Sequence, residues 1–150
     1  MSDRRVTFLL RAMFYVALTL FMILLVAGII VSKVGAAEWR PFLDAVRHEE
    51  SRGDDRAVGD GGRSRGPVQC GRAAWADACE YMGVDWDYDK CVWLRFESEA
   101  VVIAYTQRWG ARTWEERARC WNSGPKWRRK YRLTNGYWRR VKARMDRSER

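Results

Sequence analysis

From Ala12 to Ser32 the chain runs 21 residues without a charged side chain, dense in Leu, Ile, Val, Phe and Met and with no amphipathic alternation. A bilayer core takes about 20 such residues in a helix, so the run predicts a membrane-spanning helix. Arg4, Arg5 and Arg11 precede it and only Lys33 closely follows. That asymmetry places the N-terminus in the cytoplasm and the rest of the chain across the membrane. The small residues Val34-Gly35-Ala36-Ala37 suit signal peptidase, so residues 1–37 are expected to be a retained signal anchor or a cleaved signal peptide. Residues 38–150 form the second expected unit.

In that unit the pattern changes to helical spacing. Pro41 suits a first helical turn, and Trp39, Phe42, Leu43 and Val46 share one face before Glu49-Glu50. Gly53 to Gly66 is rich in Gly, Asp and Arg and predicts a loop with a short hairpin around Asp60-Gly61. Ala73–Met82 predicts a helix ending at Gly83, and Ser98–Trp109 a core helix closed by Gly110. Thr113-x-x-Glu116 is a capping box opening a helix that stops at Ser123-Gly124-Pro125. A last helix is expected from about Thr134, with Tyr137, Val141 and Met145 as one stripe. The expected fold class is mostly α (α+β), with a transmembrane helix ahead of a small helical domain that carries a short glycine-rich hairpin.

Composition narrows the chemistry. The chain has 150 residues and a net charge of +9, distributed as +3 over residues 1–37, −4 over 38–111 and +10 over 112–150. An acidic middle beside a basic tail suggests carboxylate chemistry next to an anion-attracting surface. The single histidine excludes zinc sites built on two or three imidazoles, and His48-Glu49-Glu50-Ser51-Arg52 lacks the second His of a metalloprotease helix. No cofactor and no metal is expected. Cys70, Cys79, Cys91 and Cys120 form no C-x-x-C pair, which argues against a zinc ribbon. On the outer side of a membrane disulfides persist; four cysteines permit three pairings, and the candidate set is Cys79–Cys91, flanking the Gly83–Asp89 loop, with Cys70–Cys120.

The sharpest geometric clue is Glu50. At about 100° per residue it falls roughly 30° from the centre of the apolar face of its helix, whereas Glu49 falls about 70° away. A carboxyl that continues an apolar stripe is partly desolvated, which raises its pKa and suits it to donate a proton near neutral pH. Asp60, ten residues on in Gly59-Asp60-Gly61-Gly62, is the candidate partner, with Asp54 and Asp55 as alternatives on the same loop. Two carboxyls across a cleft are the glycosidase pair.

The stretch from Glu50-Ser51-Arg52-Gly53 through Gly66-Pro67-Val68-Gln69 resembles the active-site segment of lysozyme-like muramidases, where an E-S pair ends a helix and a G-x-x-Q turn follows. Ala118-Arg119-Cys120-Trp121-Asn122-Ser123-Gly124-Pro125 resembles that superfamily's A-R-x-W/H-N-G-G-P element, and Thr134-Asn135-Gly136-Tyr137-Trp138-Arg139-Arg140-Val141 its closing helix. Order and spacing are most similar to the invertebrate-type (destabilase) lysozymes and their bacterial and phage relatives, with soluble lytic transglycosylases more distant. The resemblance implies a peptidoglycan-degrading enzyme with Glu50 as general acid, Asp60 as partner carboxylate, and Gln69, Asn122 and Tyr137 in elements lining the sugar cleft. Trp121, next to Asn122, is the candidate ring for stacking on a sugar face. Cys70 departs from the aliphatic residue usual after the G-x-x-Q glutamine, and Ser123 replaces a glycine.

The expected function is a muramidase acting on peptidoglycan glycan strands, on the extracytoplasmic side and as a monomer without nucleic acid. A lytic transglycosylase using Glu50 alone is the alternative product chemistry. Two other classes compete with it. A cysteine peptidase built on Val68-Gln69-Cys70-Gly71 lacks a histidine downstream of its nucleophile. A non-catalytic module would bind walls or nucleic acid through the basic, aromatic tail.

Overall fold

The computed structural model describes Tyr15, residues 17–22 and residues 38–148, which fall into two units divided between Trp39 and Arg40. In the first unit, Tyr15 and residues 17–22 are helical and exposed. The rest of the Ala12–Ser32 run lies outside the described residues. Among the described residues no helix is long and apolar enough to cross a membrane. The expected membrane-spanning helix is corrected accordingly: the described helical stretch of the run does not form one.

The second unit is mostly helical with one small sheet. Helix α1 covers residues 38–51, and its part in this unit, from Arg40 on, buries Phe42, Leu43, Ala45 and Val46; Phe42 stacks on Trp114 with ring centroids 5.1 Å apart. Burying side chains of this size contributes about 1.5–3 kcal/mol each. A three-stranded antiparallel sheet follows, in the order β1 (Val58–Gly59), β2 (Ser64–Arg65), β3 (Cys70–Gly71). Val58 pairs with Arg65 and Gly59 with Ser64, so the first hairpin turns through Asp60–Gly62. Ser64 and Arg65 pair in turn with Gly71 and Cys70.

Five further helices follow: α2 (Arg72–Met82), the short α3 (Tyr88–Cys91), α4 (Arg95–Arg108), α5 (Trp114–Ser123) and α6 (Asn135–Ser148). The α2 helix packs most extensively on α4, whose inner face carries Val101, Val102, Ala104 and Tyr105. Arg47 of α1 pairs with the buried Glu99 of α4 at 3.2 Å. Both halves of the capping box at Thr113 and Glu116 are made. Between α5 and α6 the chain makes 3-10 turns at Trp127–Lys130 and Arg132–Thr134.

Arg119 fixes how α6 sits against α5. It is buried, 2% exposed, and no unpaired guanidinium survives at that depth. It donates to Glu115 Oε1 at 2.6 Å, Thr134 Oγ1 at 2.8 Å, Asn135 Oδ1 at 2.8 Å and the Tyr131 carbonyl, and stacks over the Tyr131 ring. The start of α6 is therefore set by a side chain of α5.

The expected disulfides are absent: Cys70, Cys79, Cys91 and Cys120 are all free thiols. The 83–89 loop is closed by other means. Trp75 Nε1 donates to the Trp86 carbonyl at 2.8 Å and the Tyr88 hydroxyl to the Cys70 carbonyl at 2.8 Å. Cys70 and Cys120 are 1% and 0% exposed and serve as small core residues, with burial pushing the Cys120 thiol up to about 12 and Cys70 upward as well.

Gly66 shows how tightly the sheet is seated. Its φ is +78°, and a Cβ there would stand 1.9 Å from the Val92 carbonyl oxygen. Gly66→Ala is expected to cost at least ~2 kcal/mol, because it adds backbone strain to a clash with main chain. The midpoint of urea unfolding, with the slope unchanged, is the measurement.

Candidate active site

The C-terminal turn of α1 delivers Glu50 to a cavity of about 390 Å3. Ser51, the last residue of the helix, donates from Oγ to the carbonyls of Arg47 (3.0 Å) and Pro67 (2.8 Å). Arg52 and Gly53 then leave the helix in left-handed backbone, at φ 58° and 87°. The helix end is thus fastened to the loop before β3, and the carboxyl one residue earlier is fastened with it.

Glu50 Oε1 accepts a hydrogen bond of 2.7 Å from the Tyr137 hydroxyl of α6. Burial raises the Glu50 pKa from 4.5 to about 7. The Tyr137 hydroxyl opposes that rise, the Glu49 and Asp60 charges add to it, and Arg140 opposes it. Desolvation dominates because the carboxyl continues the apolar face of α1. Near neutral pH such a group is a proton donor and, once ionised, a base.

Asp60 faces the same cavity from the hairpin turn. Its backbone is left-handed, at φ 49°, and its Oδ2 accepts 2.9 Å from Ser64 Oγ. Ser64 also lines the cavity and was not singled out from sequence. The hairpin register carries the missing signal, since pairing Gly59 with Ser64 puts Ser64 back beside the turn residue Asp60.

Gln69, Trp121 and Asn122 line the cavity too, with unlike roles. The Gln69 amide nitrogen donates to the carbonyls of Ala57 and Gly66, both at 3.0 Å. Its Oε1 takes the space a Cβ on Gly59 would need, 2.2 Å away. Gln69 therefore holds the hairpin in shape from inside the cleft. Trp121 Nε1 donates to the Val68 carbonyl at 3.2 Å, and its ring meets Tyr105 edge-on. The Asn122 amide has no hydrogen-bond partner among the described residues and is exposed on the cleft wall. It offers both a donor and an acceptor to a ligand.

Tyr137 does not line the cavity. It is 7% exposed and acts from beneath, on Glu50. Asp54 and Asp55 are drawn elsewhere: Asp54 accepts from the Arg56 amide and Asp55 pairs with Arg95. Ser123 bonds back to the Arg119 carbonyl at 2.8 Å, and the reversal falls to Gly124 at φ 80°. Among the described residues no group of three or more His, Cys, Asp or Glu side chains is placed to hold a metal ion. Compared with known proteins, the chain matches no family model and no curated protein.

The buried carboxyl sets a pH dependence of stability. Because the folded-state pKa lies above the unfolded value, the favourable contribution of protonated Glu50 is complete below about pH 4.5 and lost as pH rises through about 7. Glu50→Gln keeps an acceptor for Tyr137 and carries no charge. Relative to the parent it should gain on the order of 3 kcal/mol between pH 4.5 and pH 8. Thermal unfolding of both proteins across that range reads the crossover.

Proposed function

We propose that this domain is a lysozyme-type muramidase that cleaves the β-1,4 bond between N-acetylmuramic acid and N-acetylglucosamine. The observation that carries the reading is Glu50, a largely buried carboxyl with a pKa near 7 on the floor of a cleft. Support comes from Asp60 on the same cleft and from the three segments that resemble lysozyme-like muramidases.

In this reading Glu50 protonates the glycosidic oxygen as the bond to the muramic acid C1 breaks. Tyr137 holds the carboxyl in one orientation throughout. Asp60, held by Ser64, faces the developing oxocarbenium-like centre and either stabilises it or orients the incoming water. Glu50, by then ionised, takes a proton from that water. Asn122 and the edge of Trp121 contact the sugars. Peptidoglycan lies outside the cytoplasm, so the reading requires the domain to work on that side.

A turbidity assay on purified cell walls tests the proposal. Glu50→Gln should lose at least ~10²-fold in rate, as expected for removal of a general acid. Asp60→Asn should fall between that variant and the parent, or change the product. Asp54→Asn, outside the cleft, should stay within a few-fold of the parent. Mass spectrometry of the digest separates reducing-end products from 1,6-anhydro ends, which a transglycosylase using Glu50 alone would leave. A parent protein that releases no muropeptides overturns the reading.

A further inference from the structure

A second cavity, of about 540 Å3, shares no lining residue with the cleft. His48, Glu49, Arg52 and Arg140 line it. The adjacent residues Glu49 and Glu50 thus open onto different cavities.

The charge balance of this second space is positive. Arg140 donates from Nε to Glu49 Oε2 at 2.6 Å, and its terminal nitrogens have no acceptor among the described residues. The Arg52 side chain is exposed and has no partner among the described residues, on a backbone held at φ 58°. Arg144, one turn beyond Arg140 on α6, donates to His48 Nε2, so that ring nitrogen acts as an acceptor; the buried Arg144 Nε has no partner among the described residues. Two guanidinium groups, those of Arg52 and Arg140, line this space beside one carboxylate, Glu49.

We propose that this cavity is an oxyanion site, in which the guanidinium groups of Arg52 and Arg140 take a carboxylate or phosphate group. Guanidinium groups present paired N–H donors that match the two oxygens of either ligand. Two sources supply that chemistry: free phosphate, and the terminal carboxylate of a wall peptide, which rests on the muramidase reading. A glycan strand in the cleft carries peptide branches on its muramic acid residues, and this cavity begins one residue from the proposed acid.

Titration calorimetry on the full chain tests the site, with sodium phosphate as probe at ionic strength held constant with chloride. One saturable site is expected in the parent. Arg52→Ala and Arg140→Gln should each weaken it by ~10-fold or more, the loss expected for a charge-assisted hydrogen bond. Arg139→Gln, exposed and outside the cavity, should leave it unchanged. Arg52→Ala removes a side chain with no partner, and circular dichroism verifies its fold. A second arm titrates D-alanyl-D-alanine and its C-terminal amide. Binding of the acid and not the amide assigns the peptide carboxylate, whereas binding of phosphate alone assigns the free anion. The site is overturned if neither probe saturates, or if Arg52→Ala binds as tightly as the parent. Glu50→Gln should retain phosphate binding, so failure of wall lysis and failure of this site are read separately.

Discussion

The hydrogen bond from the Tyr137 hydroxyl to Glu50 spans 87 positions and joins the first helix of the domain to the last. Everything about the cleft depends on both ends of that bond being held. On one side, the apolar face of α1 is anchored by Phe42 and Val46, and Ser51 ties the helix end to Pro67. On the other, Arg119 fixes the start of α6, so Tyr137 arrives at a set height in its first turn. A buried carboxyl without the phenol would be costlier to maintain, and a buried phenol without an acceptor would be orphaned. Each group supplies what the other lacks.

Local chemistry made part of this fold legible in the sequence. The Thr113–Glu116 pair specifies a helix start because its two bonds are made within four residues. Glu50 stood out because helix periodicity alone places it near an apolar face. The features that escaped depend on distance along the chain or on very short elements. The four-residue α3 has no period to detect and owes its start to the Asp87 side chain, which accepts from the Asp89 and Lys90 amides. An even number of cysteines said nothing about separation, and the loop they seemed to close is held by Trp75 and Tyr88. Tyr137 read as a cleft residue, since nothing local announces that its hydroxyl points at a carboxyl from α1.

Glu49 and Glu50 illustrate how one residue step along a helix separates two electrostatic regimes. Glu50 is desolvated, and burial outweighs the opposing Tyr137 hydroxyl, so its proton is retained up to about pH 7. Glu49 meets Arg140 at 2.6 Å, in a cavity dominated by guanidinium groups. Roughly 100° of helical rotation accounts for the difference. The basic excess of residues 112–150 is thereby brought to the C-terminal end of α1, where α6 presents Arg140 and Arg144.

The span of the Tyr137–Glu50 bond also has a consequence for biosynthesis. A chain leaves the ribosome from its N-terminus, so Glu50 is exposed to solvent long before Tyr137 has been translated. During that interval it is an ordinary hydrated carboxylate, ionised and unable to donate a proton at neutral pH. Burial in the folded domain raises its pKa to about 7. A chain truncated before Tyr137 therefore carries the carboxyl without the hydroxyl that orients it.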